Sequence, residues 1–506
     1  MVKYSKQSNV KKNRRNHVMT TPQPISPLPA EFPSQRFSVL DYGARADGHT
    51  LNTGAFRAAI EACHNAGGGH VDVPDGCYIT GPIRLLSNVD LHLSDNAYIL
   101  FSRNYDDYPL IYSYYEGYPS VRCTSPLWAT DAENIAVTGG GVLDGGGEAW
   151  WYVRRWEQTD EMWNYILRWR GGCDDPDPKR HVWWPTERHR EGNRYFSEHS
   201  GLVSDLAEAE KYKPFFRPCM VELIRCRRIL LRGVTVQNSP AWSIHPFLCE
   251  HITVENVTVK APWDAPNTDG LNFECSKYAR VQHCTFDVGD DAICMKAGKN
   301  AAGRRIGVST NNVYVGNCRV YAAHGGFVLG TETACGIHDV LVENCIFCKT
   351  DRGLRFKSCY GRGGVIENIT MRHIRMHGII KDAISFIMSR DLAAMPADTP
   401  RNPDGSFQYA PDDMPLFRNI AIEDVHCFGA LSALLVRGLP GIGIENIHIS
   451  DAWLEAKQGI SSEGADSILL DRVTVLNERN PLEQRRFDGL LLSRDAFTYA
   501  FEQPGK

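Results

Sequence analysis

The sequence predicts an all-β fold, a parallel β-helix (solenoid) with an N-terminal capping helix and a helical or irregular insertion. Three observations carry this: an eight-residue β pattern that recurs, a second short strand after most copies, and no helical periodicity between them. The pattern reads "ILLRGVTV" from 229, "ITVENVTV" from 252, "ARVQHCTF" from 279, "VYVGNCRV" from 313, "VLVENCIF" from 340, "ITMRHIRM" from 369, "IAIEDVHC" from 420, "IHISDAWL" from 447 and "ILLDRVTV" from 468. Successive starts lie 23, 27, 34, 27, 29, 51, 27 and 21 residues apart. The 51-residue gap holds two turns, or one turn and a loop; "MPADTPRNPDGSFQYAPDDMP" inside it reads as loop. The fifth position is polar or small. The sixth is apolar throughout: Val234, Val257, Cys284, Cys318, Cys345, Ile374, Val425, Ala452 and Val473. Such a column suits an inward stack, and it casts the three cysteines as small buried hydrophobes.

The second strands are "GLNFE" (270), "AICMK" (292), "GFVLG" (326), "GLRFK" (353), "AISFI" (383) and "ALLVR" (433). Near the start, Phe56, Ala59, Ile60 and Cys63 recur at helical spacing over 52–69, and Gly67 ends the run. A helix there would cover the open first rung. Residues 151–216 break the rhythm with charge and with Trp151, Trp156, Trp163, Trp169, Trp183 and Trp184. These aromatics either stack on sugar rings or form a core for the insertion. Residues 1–35 are basic and then Pro-rich, which predicts a disordered arm, with Met19 as an alternative start, ahead of a single domain over 36–506.

Net charge is −5, so no global basic field invites nucleic acid, and no apolar run is long enough to cross a membrane. No signal-peptide pattern is visible, so a cytoplasmic location and reduced thiols are expected for the 16 cysteines. "CIFC" at Cys345 and Cys348 lacks a second half, and no other Cys/His set has zinc spacing, so no metal or cofactor is expected. Oligomeric state is left open.

Chemistry concentrates in "NTDG" (267–270) and "GDDAICMKAG" (289–298). Aligned as rungs, Asp269 and Asp291 share one column, with Asp290 one step before. His324 falls one rung on, in the column of Asp290, and Arg355 and Lys357 follow on the next. Rungs are ~4.8 Å apart, so the set forms one patch. Crowded carboxylates raise at least one pKa and place a protonated acid beside an ionised base, as glycosidic cleavage requires. Each motif alone also reads as an ordinary Asp/Gly turn. Their convergence in stacked columns favours a site. A calcium-dependent polysaccharide lyase and a non-catalytic carbohydrate-binding solenoid are the competing classes.

These motifs, with "AHGGFVLG" (323–330), "RGLRFKS" (352–358) and "NSPAWSIHP" (238–246), resemble glycoside hydrolase family 28, the polygalacturonases and related pectin hydrolases, over nearly all of 36–480. The resemblance implies a right-handed parallel β-helix and hydrolysis of α-1,4-galacturonosyl linkages with inversion. It implies Asp290 as general acid, Asp269 and Asp291 as holders of the water, and His324 as tuner of the acid. Arg355 and Lys357 would bind the substrate carboxylate, with Asn267, Lys296 and His245 completing the substrate-binding set. Two departures stand out: Ala323 before His324, and Phe356 between Arg355 and Lys357. "KNAAGRRIGVSTNN" also replaces the acidic loop of many exo-acting relatives. Pectic oligosaccharides cleaved in exo fashion are the expected substrate, because large insertions tend to close one end of a groove. Rhamnogalacturonan-type fragments are the alternative.

Overall fold

A computed structural model describes residues 20–176, 181–198, 205–389, 402–403, 408 and 410–501. The chain coils into a parallel β-helix. The first residues of all nine repeats fall in one register column, Ile229–Ile252–Ala279–Val313–Val340–Ile369–Ile420–Ile447–Ile468. Ile369 pairs directly with Ile420, so the 51-residue gap is one turn with a loop; residues 390–401 of that loop lie outside the described residues. All nine sixth-position side chains are buried in the central core.

The fifth position has a conformational cause. In every repeat it takes positive φ, from 47° at Asp424 to 82° at Gly233. This is the left-handed region that Gly, Asn and Asp enter most easily. It bends the chain between the two strands of each turn. A second such column precedes the first eight repeats: Arg228, His251, Tyr278, Asn312, Asp339, Asn368, Asn419 and Asn446. Bulky side chains are held there by their neighbours, as in the stack of His251 on Tyr278 at 4.9 Å.

The second strands build another parallel sheet. Its strands around the site are β1 (Val221–Ile224), β2 (Ile244–Phe247), β3 (Leu271–Glu274), β4 (Asp291–Lys296), β5 (Gly325–Leu329), β6 (Arg352–Cys359) and β7 (Asp382–Ser389). Helix α1 (Thr53–Asn65) buries Phe56, Ala59, Ile60 and Cys63 in the same core. The parallel order stops where Asn480–Leu492 and Phe497–Tyr499 pair antiparallel with the last rungs. That pairing covers strand edges that would otherwise template aggregation.

Residues 20–35 differ from the expected disordered arm. Ile25, Leu28 and Glu31 donate backbone N–H to Asn312 Oδ1, His251 Nδ1 and Asn134 Oδ1 at 3.4, 3.2 and 2.8 Å. Those donors are three residues apart, the period of a polyproline II chain, which rises about 9.3 Å per turn. Their acceptors are two rungs apart, about 9.6 Å. The Pro-rich composition therefore sets a repeat that matches the solenoid. Residues 1–19, the basic part of the arm, lie outside the described residues. Deleting residues 1–31 is expected to lower stability by about 1–3 kcal/mol, the sum of a few modest hydrogen bonds, read as a lower Tm; an unchanged Tm would show that the strap contributes nothing.

Within 151–216, strands Val153–Arg154, Val182–Trp184 and Cys173–Asp175 form a small antiparallel sheet beside helices Asp160–Trp169 and Glu187–Glu198. Trp163 and Trp183 pack with Val153 and Ile166 as a small core, while Trp156 and Trp169 stay exposed. Trp151 anchors the insertion by donating Nε1–H to Ser239 O at 2.8 Å. No helix among the described residues is long and apolar enough to cross a membrane.

Candidate active site

The register joins the sequence-derived site residues. Leu271 pairs with Ile293, which sets Asp269 opposite Asp291, and Asp291 pairs with Gly325, which sets Asp290 opposite His324. The backbone agrees: His324 N donates to Asp290 O at 2.9 Å, and Gly270 N to Asp291 O at 2.9 Å. Gly289 lets the chain turn into β4, since a Cβ there would stand 2.4 Å from Ala265 O and 2.6 Å from Pro262 O. Oxygens of Asp269, Asp290 and Asp291 lie within 4.8 Å of one another.

Three carboxylates this close, two of them buried and Asp290 half-buried, cannot all be ionised without help, and each has a different environment. Asp291 is 1% exposed and holds two cations, Arg355 Nη1 at 3.1 Å and Lys357 Nζ at 2.7 Å. Burial pushes its pKa up, but Lys357 and Arg355 outweigh burial and hold it far below the usual carboxylate range. Asp290 Oδ1 faces His324 Nδ1 at 3.0 Å and accepts the Asp291 N–H at 3.0 Å. Burial again opposes ionisation, yet the bond to His324 keeps Asp290 below its ordinary value. Asp269 has no such cation in contact. Burial, and then the charge of Asp290, push it well above the carboxylate range, with Lys296 opposing. His324 is raised above its ordinary value by its bond to Asp290. Asp269 is thus the carboxylate of the trio that takes a proton most readily, and the three titrate as a unit.

Two residues grouped with substrate binding on the sequence sit elsewhere. His245 is 0% exposed, enclosed by Glu222, Glu274 and Cys219, and cannot reach a ligand in the groove. Its neighbours on the outward column of the sheet are covered by another part of the chain, which periodicity does not reveal. Lys296 is also buried and pairs with Glu332 at 3.0 Å, with Trp242 4.8 Å below it; it acts on the site through charge on Asp269. Asn267 lies at the rim with φ 58°, and its Oδ1 accepts from Arg217 at 2.7 Å.

A cavity of about 470 Å³ opens beside His324 and Arg355. Arg154, Lys349, Arg352 and Lys381 supply further positive charge, against Glu157, Asp264 and Asp351, and Trp263, 64% exposed, stands at its edge. Sequence reasoning missed these. Arg154 belongs to the insertion, and only folding brings it here: Gln158 binds Asp264 at 2.9 Å and so ties the insertion to the loop before Asp269. Trp263, four residues before Asn267 in "APWDAPN", was the one available signal.

A parallel β-helix with a carboxylate trio flanked by Arg, Lys and His defines a carbohydrate-active hydrolase. Residues 203–388 match the model of "Glycosyl hydrolases family 28". The chain is 30% identical over 401 residues to the exo-poly-alpha-D-galacturonosidase of Dickeya chrysanthemi, covering 76% of this chain and 62% of that enzyme's length. It is 27% identical to a probable polygalacturonase of Vitis vinifera, covering 81% and 74%. Among solved structures, an exopolygalacturonase from Thermotoga maritima superimposes with a TM-score of 0.75 and 28% identity, covering 94% of this chain and 97% of that one. The match over residues 203–388 and these relatives support glycosyl hydrolase family 28.

Proposed function

We propose that the protein is an exo-acting hydrolase of α-1,4-galacturonosyl linkages that removes single residues from the ends of pectic oligosaccharides. The observation that carries the exo mode is a groove closed at one end. On β1, β2 and β3 every residue is buried, on both faces of the sheet. The hairpin of Leu110–Tyr115 and Tyr118–Cys123 roofs them: Tyr115 stacks on Trp242 at 4.7 Å, and Tyr114 packs on Phe247 at 4.7 Å. Glu116 and Tyr118 tie the hairpin tip to Lys299 and Asn300 at 3.1 and 2.7 Å. From β6 onward the outward face is partly exposed. The carboxylates lie between the roofed rungs and the open ones, with β4 and β5 still buried at every position, so a chain enters from the β6 side and only its end reaches them.

Asp290 acts as general acid, Asp269 and Asp291 hold the attacking water, and His324 tunes Asp290. Because the three titrate as a unit, a proton on Asp269 can pass to Asp290 when substrate binds, leaving Asp269 as the ionised partner. Arg355 and Lys357 are engaged by Asp291 in the free site, but each has donors to spare for a sugar carboxylate. Asp291 engages only Nη1 of the Arg355 guanidinium, which carries five N–H donors, and Lys carries three. The cationic cavity beside His324 suits the next residues of an anionic chain.

The close carboxylates favour a second reading of the stereochemistry. Inverting sites usually hold their carboxyl groups about 6.5–9.5 Å apart, and retaining ones about 5 Å. Nearest oxygens within 4.8 Å stand at the short end, although carboxyl carbons are farther apart than nearest oxygens. Incubation with a hexagalacturonate, followed by chromatography and proton NMR of the first products, tests both points. The expected first products are galacturonic acid and the pentamer, with the new reducing end formed as the inverted anomer and no ultraviolet absorbance. Dimers, trimers or tetramers among the first products would overturn the exo mode. A retained anomer would establish double displacement. An unsaturated product would replace hydrolysis with elimination.

A further inference from the structure

We propose that the buried cluster of Cys219, Glu222 and His245 is a metal site for a single divalent transition-metal ion such as zinc, placed beneath the closed end of the groove. Cys219 Sγ lies 3.8 Å from His245 Nδ1, and Glu222 Oε1 lies 3.5 Å from the same nitrogen. All three ligand atoms lie within 4.8 Å of one another. Ligands held 2.0–2.3 Å from a tetrahedral ion stand roughly 3.3–3.8 Å apart. The donor set of one thiolate, one imidazole and one carboxylate suits zinc.

The surroundings are those of a built site. The second imidazole nitrogen, Nε2, meets Glu274 Oε2 at 3.0 Å, the carboxylate–histidine relay that orients metal-bound imidazoles. Glu222 Oε2 accepts from Ser125 Oγ at 2.8 Å, and Oε1 accepts the longer bond from Ser113 Oγ at 3.4 Å, so Oε1 is the oxygen more easily turned to an ion. Ser113 Oγ, from the roofing hairpin, stands 3.4 Å from Glu222 Oε1 and so lies beside the fourth position. Glu274 is 0% exposed, and its Oε1 has no partner, so this buried pocket holds more negative charge than its hydrogen bonds satisfy. The ion would fasten β1 to β2 and to the stretch just before β1, under the hairpin that closes the groove. It takes no part in bond cleavage. Sequence spacing hides the set, because Cys219 and Glu222 lie 23 or more residues from His245 and resemble no zinc pattern.

The test uses the full chain without an affinity tag, loaded with zinc or cobalt(II), desalted, and measured by metal analysis and absorption spectroscopy. About one zinc per chain is expected, with a thiolate-to-cobalt charge-transfer band in the cobalt form and a higher Tm with zinc than without. Cys219→Ser should lose the band, whereas Asp291→Asn, which alters the other cluster of potential ligands, should keep it. Three results would each overturn the site: no metal retained by the wild type, a cobalt spectrum without the thiolate band, or equal retention by Cys219→Ser. The wild-type spectrum decides on its own if the serine variant does not fold.

Discussion

Replacing Asp290 with Asn is expected to lower kcat by about 10²- to 10⁴-fold, the range that general acid catalysis supplies. That is roughly 3–5 kcal/mol of barrier. The fold should survive, since an Asn side chain keeps the Oδ1 that accepts the Asp291 N–H at 3.0 Å. What disappears is the ability to carry a proton to the leaving oxygen. The comparison that gives this meaning is Asp269→Asn, because Asp269 is the carboxylate pushed well above its ordinary pKa in the free site. If Asp290→Asn keeps a rate within about tenfold of wild type while Asp269→Asn is inactive, the acid is Asp269 and the roles must be exchanged. The pH profile adds an independent reading. His324 is raised above the imidazole value of about 6.5. Its pairing with Asp290 is therefore complete below that value and lost as pH rises through the higher folded pKa. The alkaline limb of kcat/KM should lie above pH ~6.5 and should shift in His324→Gln; an unshifted limb would remove His324 from the tuning role.

Phe356→Ala is expected to cost about 3–5 kcal/mol of stability, measured as a fall in the denaturant midpoint at unchanged slope. Phe356 is 0% exposed and stacks on Phe386 of the next rung, with ring centroids 4.1 Å apart and planes at 7°. Phe417 meets its ring edge-on at 6.5 Å. Removing it leaves a hole in a core that cannot collapse, because each rung is held in register by its neighbours. Arg355 and Lys357 flank it on the opposite face of β6, so a disturbed strand should also raise KM by moving both cations. Phe356→Leu, which keeps most of the volume, should cost under about 1.5 kcal/mol. An alanine variant within 1 kcal/mol of wild type would show that the stack contributes little beyond filling space. The bulky residue at this position, a departure from the usual family pattern, is explained by this inward stack.

How much was legible before folding follows from what kind of information each feature needs. The repeats were legible residue by residue. All nine starts share one column, and all nine sixth positions are buried, because alternation fixes the inward side chains of each strand and the bend at the fifth position returns the sixth to the inward face. The alignment of Asp269 with Asp291, and of Asp290 with His324, followed from that same register. The polar fifth position was visible, but its reason, a left-handed bend in every turn, was not. The second bend column was signalled only in its later rungs, by Asn312, Asp339, Asn368, Asn419 and Asn446, since Arg228 and Tyr278 carry no local preference for positive φ. Neighbouring rungs impose it on them.

The sequence by itself determined the solenoid, the stacking of its rungs and the patch of carboxylates with Arg355 and Lys357, since all of these depend only on local periodicity repeated along one axis. The tertiary structure alone decided the rest. It folded a hairpin from 110–123 over β1 to β3 and so closed the groove. It carried Arg154 from the insertion to the cavity beside His324. It laid a Pro-rich strap across alternate rungs, and it buried His245 with Cys219 and Glu222. Each of these joins segments tens to hundreds of residues apart, and such contacts are selected by shape and by the charge left to satisfy in the folded molecule, which no periodic pattern encodes.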